Sequence, residues 1–310
     1  MSSQFTYRKR LYYFFILAIV FIIGVPFLVL YATGYRFGEE LELEKRGGIY
    51  VTVPQSGASI FIDWMQYHTT AFLSHDYLKQ DAVVGDHEVE VRHPDYKTWY
   101  REVEVKPQTV TPLYPFLVPL EYEIRTLYST STLSELPLEE REGVTFDEYE
   151  RIMTLFEVTE TATSTRKVRS LNTLLSDAVV ATTTPELATP DDILPYHQIT
   201  KDDITVWYDG YTIYAYWDNE DWLPERFCNK HSCVNPMAVL TTSQRITHVD
   251  FYPGRDDVIL YTLPDGIYVA EIDKRPWPVR EQILYGRGID FRIENNNLYV
   301  KEGNRIVELE

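Results

Sequence analysis

The chain has 310 residues, 45% of them hydrophobic, which is enough for two modest domains and one further segment. Its 24 Tyr and 14 Phe favour the half-buried surfaces of β-sheets. The net charge is −18, and residues 1–36 contain no acidic group, so the remainder is more acidic still. That charge repels phosphate, so nucleic acid is excluded as an expected partner. It predicts an acidic, solvated surface, with binding of cations or basic partners as the alternative.

The first predicted element is a membrane anchor. The segment Leu11–Leu30 has no charged residue, and twenty helical residues span about 30 Å, the thickness of a bilayer core. A cleaved signal peptide would have a shorter apolar core that ends in small residues. A helix in a soluble core would rarely be apolar on every face. The sequence therefore predicts a transmembrane helix over 11–31.

The orientation of this anchor is predicted from the basic residues around it. Arg8, Lys9 and Arg10 lie directly before the helix, whereas Arg36 is the one basic residue in the dozen that follow it. Because cytoplasmic flanks carry the excess of Lys and Arg, residues 1–10 are predicted to be cytoplasmic. The expected protein is a single-pass cell-membrane protein whose body is extracytoplasmic and whose helix has the lipid bilayer as its partner.

Residues 47–120 have the pattern of a small β-sandwich. The stretch His87–Arg92 alternates apolar and polar residues, as does Trp99–Val105, and turn residues such as His93-Pro94-Asp95 separate the runs. Strict alternation is typical of strands with one buried face. Two further strands are predicted at 48–53 and 58–63, and short strands with tight turns at this spacing favour a sandwich.

This segment resembles a PEGA domain, a small surface β-sandwich named for a Pro-Glu-Gly-Ala turn. The turn here is Pro54-Gln55-Ser56-Gly57-Ala58, one residue longer and without the Glu. Two further motifs of the family are present. Gly85–Val91 matches its Gly-x-His-x-Val-x-Val strand. Asp95–Trp99 matches its Gly-Tyr turn with a following aromatic residue, except that Asp95 replaces the Gly. The resemblance implies a non-catalytic envelope module without a known ligand.

Three side chains of this segment have two interpretations each. His87 is predicted to support the fold rather than to bind a ligand, because no metal-binding spacing accompanies it. Trp64 and Tyr67 lie in the predicted loop after the second strand. Exposed aromatic residues on a loop can contact a glycan or a protein, so these two are the candidate binding residues, with packing as the alternative.

Residues 121–200 are predicted to form a connector with short helices. Thr145 and Glu148 have the spacing of a helix N-cap, and apolar residues then continue a helix to about Val158. A second amphipathic helix is possible over 168–178. The Thr-rich stretches around these helices, such as 181–192, favour loose structure.

Residues 201–310 are predicted to be a propeller-like β domain. The strands Ile204–Tyr208 and Tyr211–Trp217 flank Asp209-Gly210, which predicts a two-residue hairpin turn. An Asp-Phe pair at 250–251 recurs 40 residues later at 290–291, a spacing that suits a four-stranded blade. This region alone is too short for the usual minimum of four blades.

The two cysteines and one further motif lie in this domain. Cys228 and Cys233 are close together, which in an exported domain predicts a disulfide; free thiols and a metal site with His231 are the alternatives. The motif Phe251–Arg255 (Phe-Tyr-Pro-Gly-Arg) completes a layout of anchor, PEGA-like module, connector and Cys-containing β region. That layout resembles PEGA-domain surface proteins of bacteria with reduced genomes.

The sequence contains no motif for catalysis. It has no Gly-x-Ser-x-Gly elbow, no His-Glu-x-x-His and no phosphate-binding glycine loop. No catalytic residue, metal or cofactor is therefore expected. The leading hypothesis is a non-enzymatic binding or scaffold protein that contacts envelope glycan or surface proteins. The rival is an extracellular carbohydrate-active hydrolase, or an accessory subunit of one, with a carboxylate pair in the C-terminal domain; a membrane sensor is the third option.

Overall fold

A computed structural model describes residues 7–32, 35–37, 43–129, 151–156, 198–303 and 305–309. The protein is mainly β, with one N-terminal apolar helix and several sheets. It divides into two compact units. Unit 1 comprises Met1–Pro94 and Thr98–Pro115, and unit 2 comprises Asp95–Lys97 and Phe116–Glu310.

The helix α1 spans Tyr7–Ala32 and contains Pro26. Its apolar part, Leu11–Ala32, has 22 residues, and none of their side chains is buried. The first half of this part consists of Leu, Ile, Val, Phe and Tyr apart from Ala18, so no face of the helix is polar enough to suit water. Its length and composition are compatible with a single membrane span or with a signal sequence.

Unit 1 contains two four-stranded sheets. One has the order β1-β2-β5 with β8 paired to β2 in parallel, and the other has the order β4-β3-β6-β7. The strands are β1 (Tyr35–Phe37), β2 (Leu43–Thr52), β3 (Ser59–Ile62), β4 (Met65–Thr69), β5 (Asp76–Val83), β6 (Gly85–His93), β7 (Tyr96–Val105) and β8 (Val110–Leu113).

Both sheets of unit 1 bury one face. In β6 the alternate residues His87, Val89 and Val91 are buried, as the alternation in the sequence predicts. In the other sheet Ile49 and Val51 of β2 are fully buried. The core of unit 1 is therefore built from alternate apolar residues of both sheets, and burying such side chains contributes about 1.5–3 kcal/mol each.

Unit 2 contains three four-stranded antiparallel sheets, β10-β11-β12-β13, β14-β15-β16-β17 and β18-β19-β20-β9. The strands are β9 (Ile124–Ser129), β10 (Gln198–Lys201), β11 (Ile204–Tyr208), β12 (Thr212–Trp217), β13 (Met237–Thr241), β14 (His248–Phe251), β15 (Val258–Leu263), β16 (Gly266–Glu271), β17 (Arg280–Tyr285), β18 (Ile289–Glu294), β19 (Asn297–Glu302) and β20 (Arg305–Leu309).

The middle sheet of unit 2 lies between two apolar clusters. All six residues of β15 are buried. Ile259 and Tyr261 pack in one cluster with β11 and β12, whereas Val258 and Leu260 pack in the other with β18 and β19. A strand covered on both faces has a nearly continuous apolar sequence, and Thr262 is the one small polar residue in Val-Ile-Leu-Tyr-Thr-Leu. The three sheets are therefore joined through two shared cores.

Three parts of the predicted connector belong to this packing, and one of them is 198–200, the start of β10. Strand β9 is the fourth strand of the last sheet, where it pairs with β20. Residues 151–156 are helical, and Ile152 and Phe156 pack against Tyr299 and Ile306. The remainder of the helix predicted to reach Val158, and the whole helix predicted over 168–178, lie outside the described residues.

The turn between β11 and β12 differs by one residue from the prediction. The Asp209 N–H donates to the Thr212 carbonyl at 3.1 Å, so the two central residues are Gly210 and Tyr211 rather than Asp209 and Gly210. Gly210 has φ +101, which suits the first central position of a type II′ turn. Asp209 instead accepts the backbone N–H groups of Tyr211 and Thr212 through its Oδ1.

Candidate functional site

A cleft of about 410 Å³ lies where the first strands of the three sheets of unit 2 end. The strands β10 and β14 contact each other, and β14 also contacts β18. The cleft is lined by Ile199–Lys201, Asp250–Gly254, Ile293 and Asn296. It therefore combines one carboxylate, one ammonium group, one amide and two aromatic rings.

The Phe-Tyr-Pro-Gly-Arg motif forms one wall of this cleft. The Tyr252 N–H donates to the Val258 carbonyl, and the Arg255 N–H donates to the Tyr252 carbonyl at 3.0 Å, which closes a tight turn. Gly254 has φ +71, a left-handed conformation that glycine adopts without steric cost. Arg255 holds the Asp257 carboxylate through Nε at 2.6 Å and through a terminal nitrogen at 2.8 Å. The turn is thus fixed by its own hydrogen bonds and by Lys201 Nζ, which donates to the Arg255 carbonyl at 2.9 Å.

A second cleft of about 370 Å³ shares Tyr252, Pro253 and Asn296 with the first. Its other side includes Glu308, whose carboxylate lies 3.3 Å from Arg125 Nη1. Burial raises the pKa of Tyr252 above its usual 10.0. The motif therefore separates two adjacent clefts, each with hydrogen-bonding groups beside an aromatic ring.

The two Asp-Phe pairs of the sequence are a structural repeat. Asp250 Oδ1 accepts the N–H of Phe251 at 2.7 Å, and Asp290 Oδ1 accepts the N–H of Phe291 at 2.9 Å. The two carboxyl groups differ in their surroundings. Asp290 lies 2.9 Å from His248 Nδ1 and accepts a 2.8 Å hydrogen bond from Arg292, whereas Asp250 lines the cleft.

These surroundings move the two carboxyl pKa values in opposite directions. Burial raises the pKa of Asp250 above its usual 3.8, although the Phe251 N–H and the nearby cationic groups oppose the rise. Burial would also raise the pKa of Asp290, but the hydrogen bond and charge of His248, together with Arg292, outweigh it and hold that pKa below 3.8.

The two aspartates are expected to affect stability with opposite signs. A carboxyl pKa that is raised in the folded state contributes stability below the unfolded value and loses it as pH rises through the folded value. Asp250→Asn should therefore gain stability relative to the native chain as pH rises from 3.8 towards neutral. Asp290→Asn should be less stable than the native chain at neutral pH, and this difference should vanish as pH falls through the lowered pKa.

The measurement is urea unfolding of the detergent-solubilised protein at several pH values. The native chain and the two variants form a matched set, because each variant replaces one carboxylate with an amide that can still accept the same backbone N–H. Parallel pH profiles for the two variants would contradict the assigned surroundings.

The sequence-predicted residues lie outside the clefts. Cys228 and Cys233 form a disulfide, as predicted. Trp64 is 72% exposed in the turn between β3 and β4. Tyr67 is half-buried, with its ring 6.0 Å from that of Tyr77 and 3.9 Å from Lys79 Nζ. Tyr67 therefore lies in strand β4, not in a loop as predicted, and its ring packs against β5.

His87 has a structural environment of the predicted kind. Its Nδ1 lies 2.6 Å from Asp63 Oδ2 and its Nε2 lies 2.6 Å from the Val83 carbonyl. Within the described part of the chain, no three His, Cys, Asp or Glu side chains are gathered so that they could hold a metal ion.

Sequence reasoning noted the Phe251–Arg255 motif without a role, and it missed Lys201 and Asn296. Asn295 and Asn296 both have positive φ, and consecutive Asn residues between two strands are a recognisable signal for such a turn. Comparison of the chain with models of known protein families gives no match, and comparison with curated proteins gives none either.

Proposed function

We propose that this chain is a single-pass membrane protein that acts outside the cell membrane as a non-enzymatic binding or scaffold protein of the envelope. The observation that carries the proposal is α1, in which no side chain of Leu11–Ala32 packs inside the protein. Hydrocarbon is the environment that suits such a helix. The basic run at 8–10 supports a cytoplasmic N-terminus. The Cys228–Cys233 disulfide supports a body in an oxidising compartment.

The fold assignments made from the sequence are part of this proposal. The two sheets of unit 1, each with one buried face, support a PEGA-like sandwich. The three four-stranded sheets of unit 2 support a propeller-like arrangement. In particular, β9 completes the last of these sheets although 175 residues (130–304) separate it from β20 along the chain.

The ligand that the clefts suit best is a saccharide of the envelope. Sugars present hydroxyl groups at their edges and an apolar ring face, so they need carboxylate or amide partners beside an aromatic ring. Asp250, Asn296 and the half-buried Tyr252 supply these groups in the first cleft. Both clefts also fall within the size range of ordinary small-molecule sites, about 300–1,000 Å³.

Binding is favoured over hydrolysis by the distribution of carboxylates. A glycosidase needs two carboxyl groups on either side of one bond. Among the described residues, each cleft is lined by one, Asp250 in the first and Glu308 in the second. Glu308 is also held by Arg125. Asp250 is therefore proposed to accept hydrogen bonds from sugar hydroxyls.

The experiment is a binding assay with the full chain in nanodiscs, using soluble glycan fragments released from bacterial envelopes. The native protein should retain a glycan fraction. Asp250→Asn should weaken this binding about tenfold, because a hydrogen bond to a charged group contributes about 1.5–3 kcal/mol. Asp221→Asn is the matched control, since Asp221 is exposed in the loop after β12. It should bind as the native protein does.

Each other outcome counts against part of the proposal. Retention of envelope proteins without glycan would reject the saccharide and leave a scaffold. Equal binding by native protein and Asp250→Asn would reject the cleft. Release of shortened glycan by the native protein, but not by Asp250→Asn, would replace binding with hydrolysis.

A further inference from the structure

Among the described residues of unit 1, three turns expose apolar side chains, at Trp64, at Val83 and at Phe72–Leu73, and the first two lie side by side. Trp64 lies in the turn between β3 and β4 and is 72% exposed. Met65, next to it, is also exposed. Val83 and Val84, in the turn between β5 and β6, are exposed as well. These four residues are called the apolar tip.

The strand register places the apolar tip at the end of unit 1 where α1 joins it. Val83 pairs with Arg46 in β2. The neighbouring Lys45 pairs with Tyr35 of β1, and Tyr35 is three residues after the last residue of α1, Ala32. Three residues of chain reach at most about 10 Å. The turn at Val83–Val84 is therefore close to the end of the apolar helix.

His87 holds the Trp64 turn beside the Val83 turn. Its Nδ1 lies 2.6 Å from the Asp63 carboxylate, and its Nε2 lies 2.6 Å from the Val83 carbonyl. The Asp63 N–H also donates to the Glu88 carbonyl at 2.9 Å. The two turns consequently form one surface at one end of the unit.

The packing of unit 1 does not explain why a tryptophan occupies position 64. Its φ is +66, a left-handed conformation that is uncommon for bulky residues. Most of its ring faces solvent instead of a core. Tryptophan at the end of a membrane span is, however, stabilised at the headgroup level, where its apolar ring and polar N–H are both satisfied.

The opposite end of unit 1 supplies an internal comparison. The turn that contains Phe72 is closed by the Ala71–Ser74 bridge, and β5 then begins at Asp76 opposite Thr52. Arg46 and Thr52 are six residues apart in β2, so the two ends are about 20 Å apart. Phe72 is 84% exposed, so it matches Trp64 in exposure but not in distance from α1.

We propose that the apolar tip lies in the headgroup layer of the bilayer that holds α1, with Trp64 and Val84 in contact with lipid. This inference rests on the proposed role of α1 as an anchor. It assigns unit 1 a fixed end against the membrane and directs the Phe72 turn into the external medium.

The test uses single cysteines labelled with an environment-sensitive NBD fluorophore. The two native cysteines are joined in a disulfide, so one new cysteine is the labelled position. Four variants of the full chain, Leu17→Cys, Trp64→Cys, Val84→Cys and Phe72→Cys, are placed in phosphatidylcholine vesicles that contain nitroxide-labelled lipid. Quenching by lipid nitroxide is compared with quenching by aqueous iodide. Labels at 64 and 84 should be quenched by lipid at least about twofold more than the label at 72, as expected for an interfacial site.

The label at position 17 separates the two proposals. If it is quenched by lipid while 64 and 84 behave like 72, the anchor stands and the lipid contact of the apolar tip is wrong. If the label at 17 is not quenched by lipid, the proposed function itself fails. Labels at 64 and 84 that are shielded from both quenchers would show that protein covers the tip, which also overturns the inference.

Discussion

Replacing Leu17 and Ile22 together with arginine is expected to release the protein from the membrane fraction. Both positions lie in the apolar part of α1, where no side chain is buried by protein. Each arginine near the centre of a span costs about 2.5–3.5 kcal/mol, so two should lower membrane insertion by at least a thousandfold. The measurement is the fraction of protein that sediments with carbonate-washed membranes.

The matched control for this pair is Leu17→Ile with Ile22→Leu, which keeps the length and composition of the helix. It should sediment as the native chain does. Recovery of the intact native chain in the soluble fraction would contradict the anchor, as would a doubly arginine-substituted chain that remains fully in washed membranes.

Phe291→Ala is expected to destabilise unit 2 by about 3–5 kcal/mol, the usual cost of removing a buried phenylalanine. Phe291 is fully buried in the cluster that joins the middle and last sheets, where it packs with residues such as Val258 and Ile267. Its ring also stacks on His248, with the centroids 4.4 Å apart. Urea unfolding of the solubilised protein measures the loss.

Tyr285→Ala is the control for this substitution. Tyr285 is an aromatic residue in the same sheet system, but it is 79% exposed, so its loss should change stability by no more than about 0.5 kcal/mol. Equal effects of the two substitutions would show that Phe291 does not join the sheets in the way described.

Local sequence patterns predicted four strands of unit 1, β2, β3, β6 and β7, but missed β1, β4, β5 and β8. The alternation in His87–Arg92 fixes which side chains face the core, because neighbouring residues of a strand point to opposite faces. Local patterns placed the turn between β11 and β12 one residue too early, at Asp209-Gly210. They could not decide between the two positions, because Asp-Gly and Gly-Tyr are both acceptable central pairs of a hairpin turn. The hydrogen bond from Asp209 to Thr212 decides between them, and it depends on the pairing of the whole strands.

Long-range pairing is the part that the sequence could not supply. Ile124–Ser129 lies in the stretch predicted as a connector, yet it completes a sheet with Arg305–Leu309. Its partner is far away along the chain, and the order of strands in a sheet is not a property of a local window. The same limit applies to the clefts, because Lys201, Asp250 and Ile293 come from three different sheets.

Individual residues of the candidate site could therefore be picked out in the sequence, but their proximity in the fold could not be predicted. The Asp-Phe pairs stood out as a repeat, and the structure explains them, since each carboxylate accepts the N–H of the residue that follows. No local pattern indicated that Asp250 lines a cleft while Asp290 is paired with His248 and Arg292. That difference arises from neighbours on other strands.

The most direct test of the account is digestion of intact cells by an added broad-specificity protease. An N-terminal epitope should survive on a short fragment, while a C-terminal epitope should disappear at the rate seen for the lysed cells and a cytoplasmic marker should remain whole. A C-terminal epitope that is protected until the cells are lysed would place the two β units inside the cell and contradict the account.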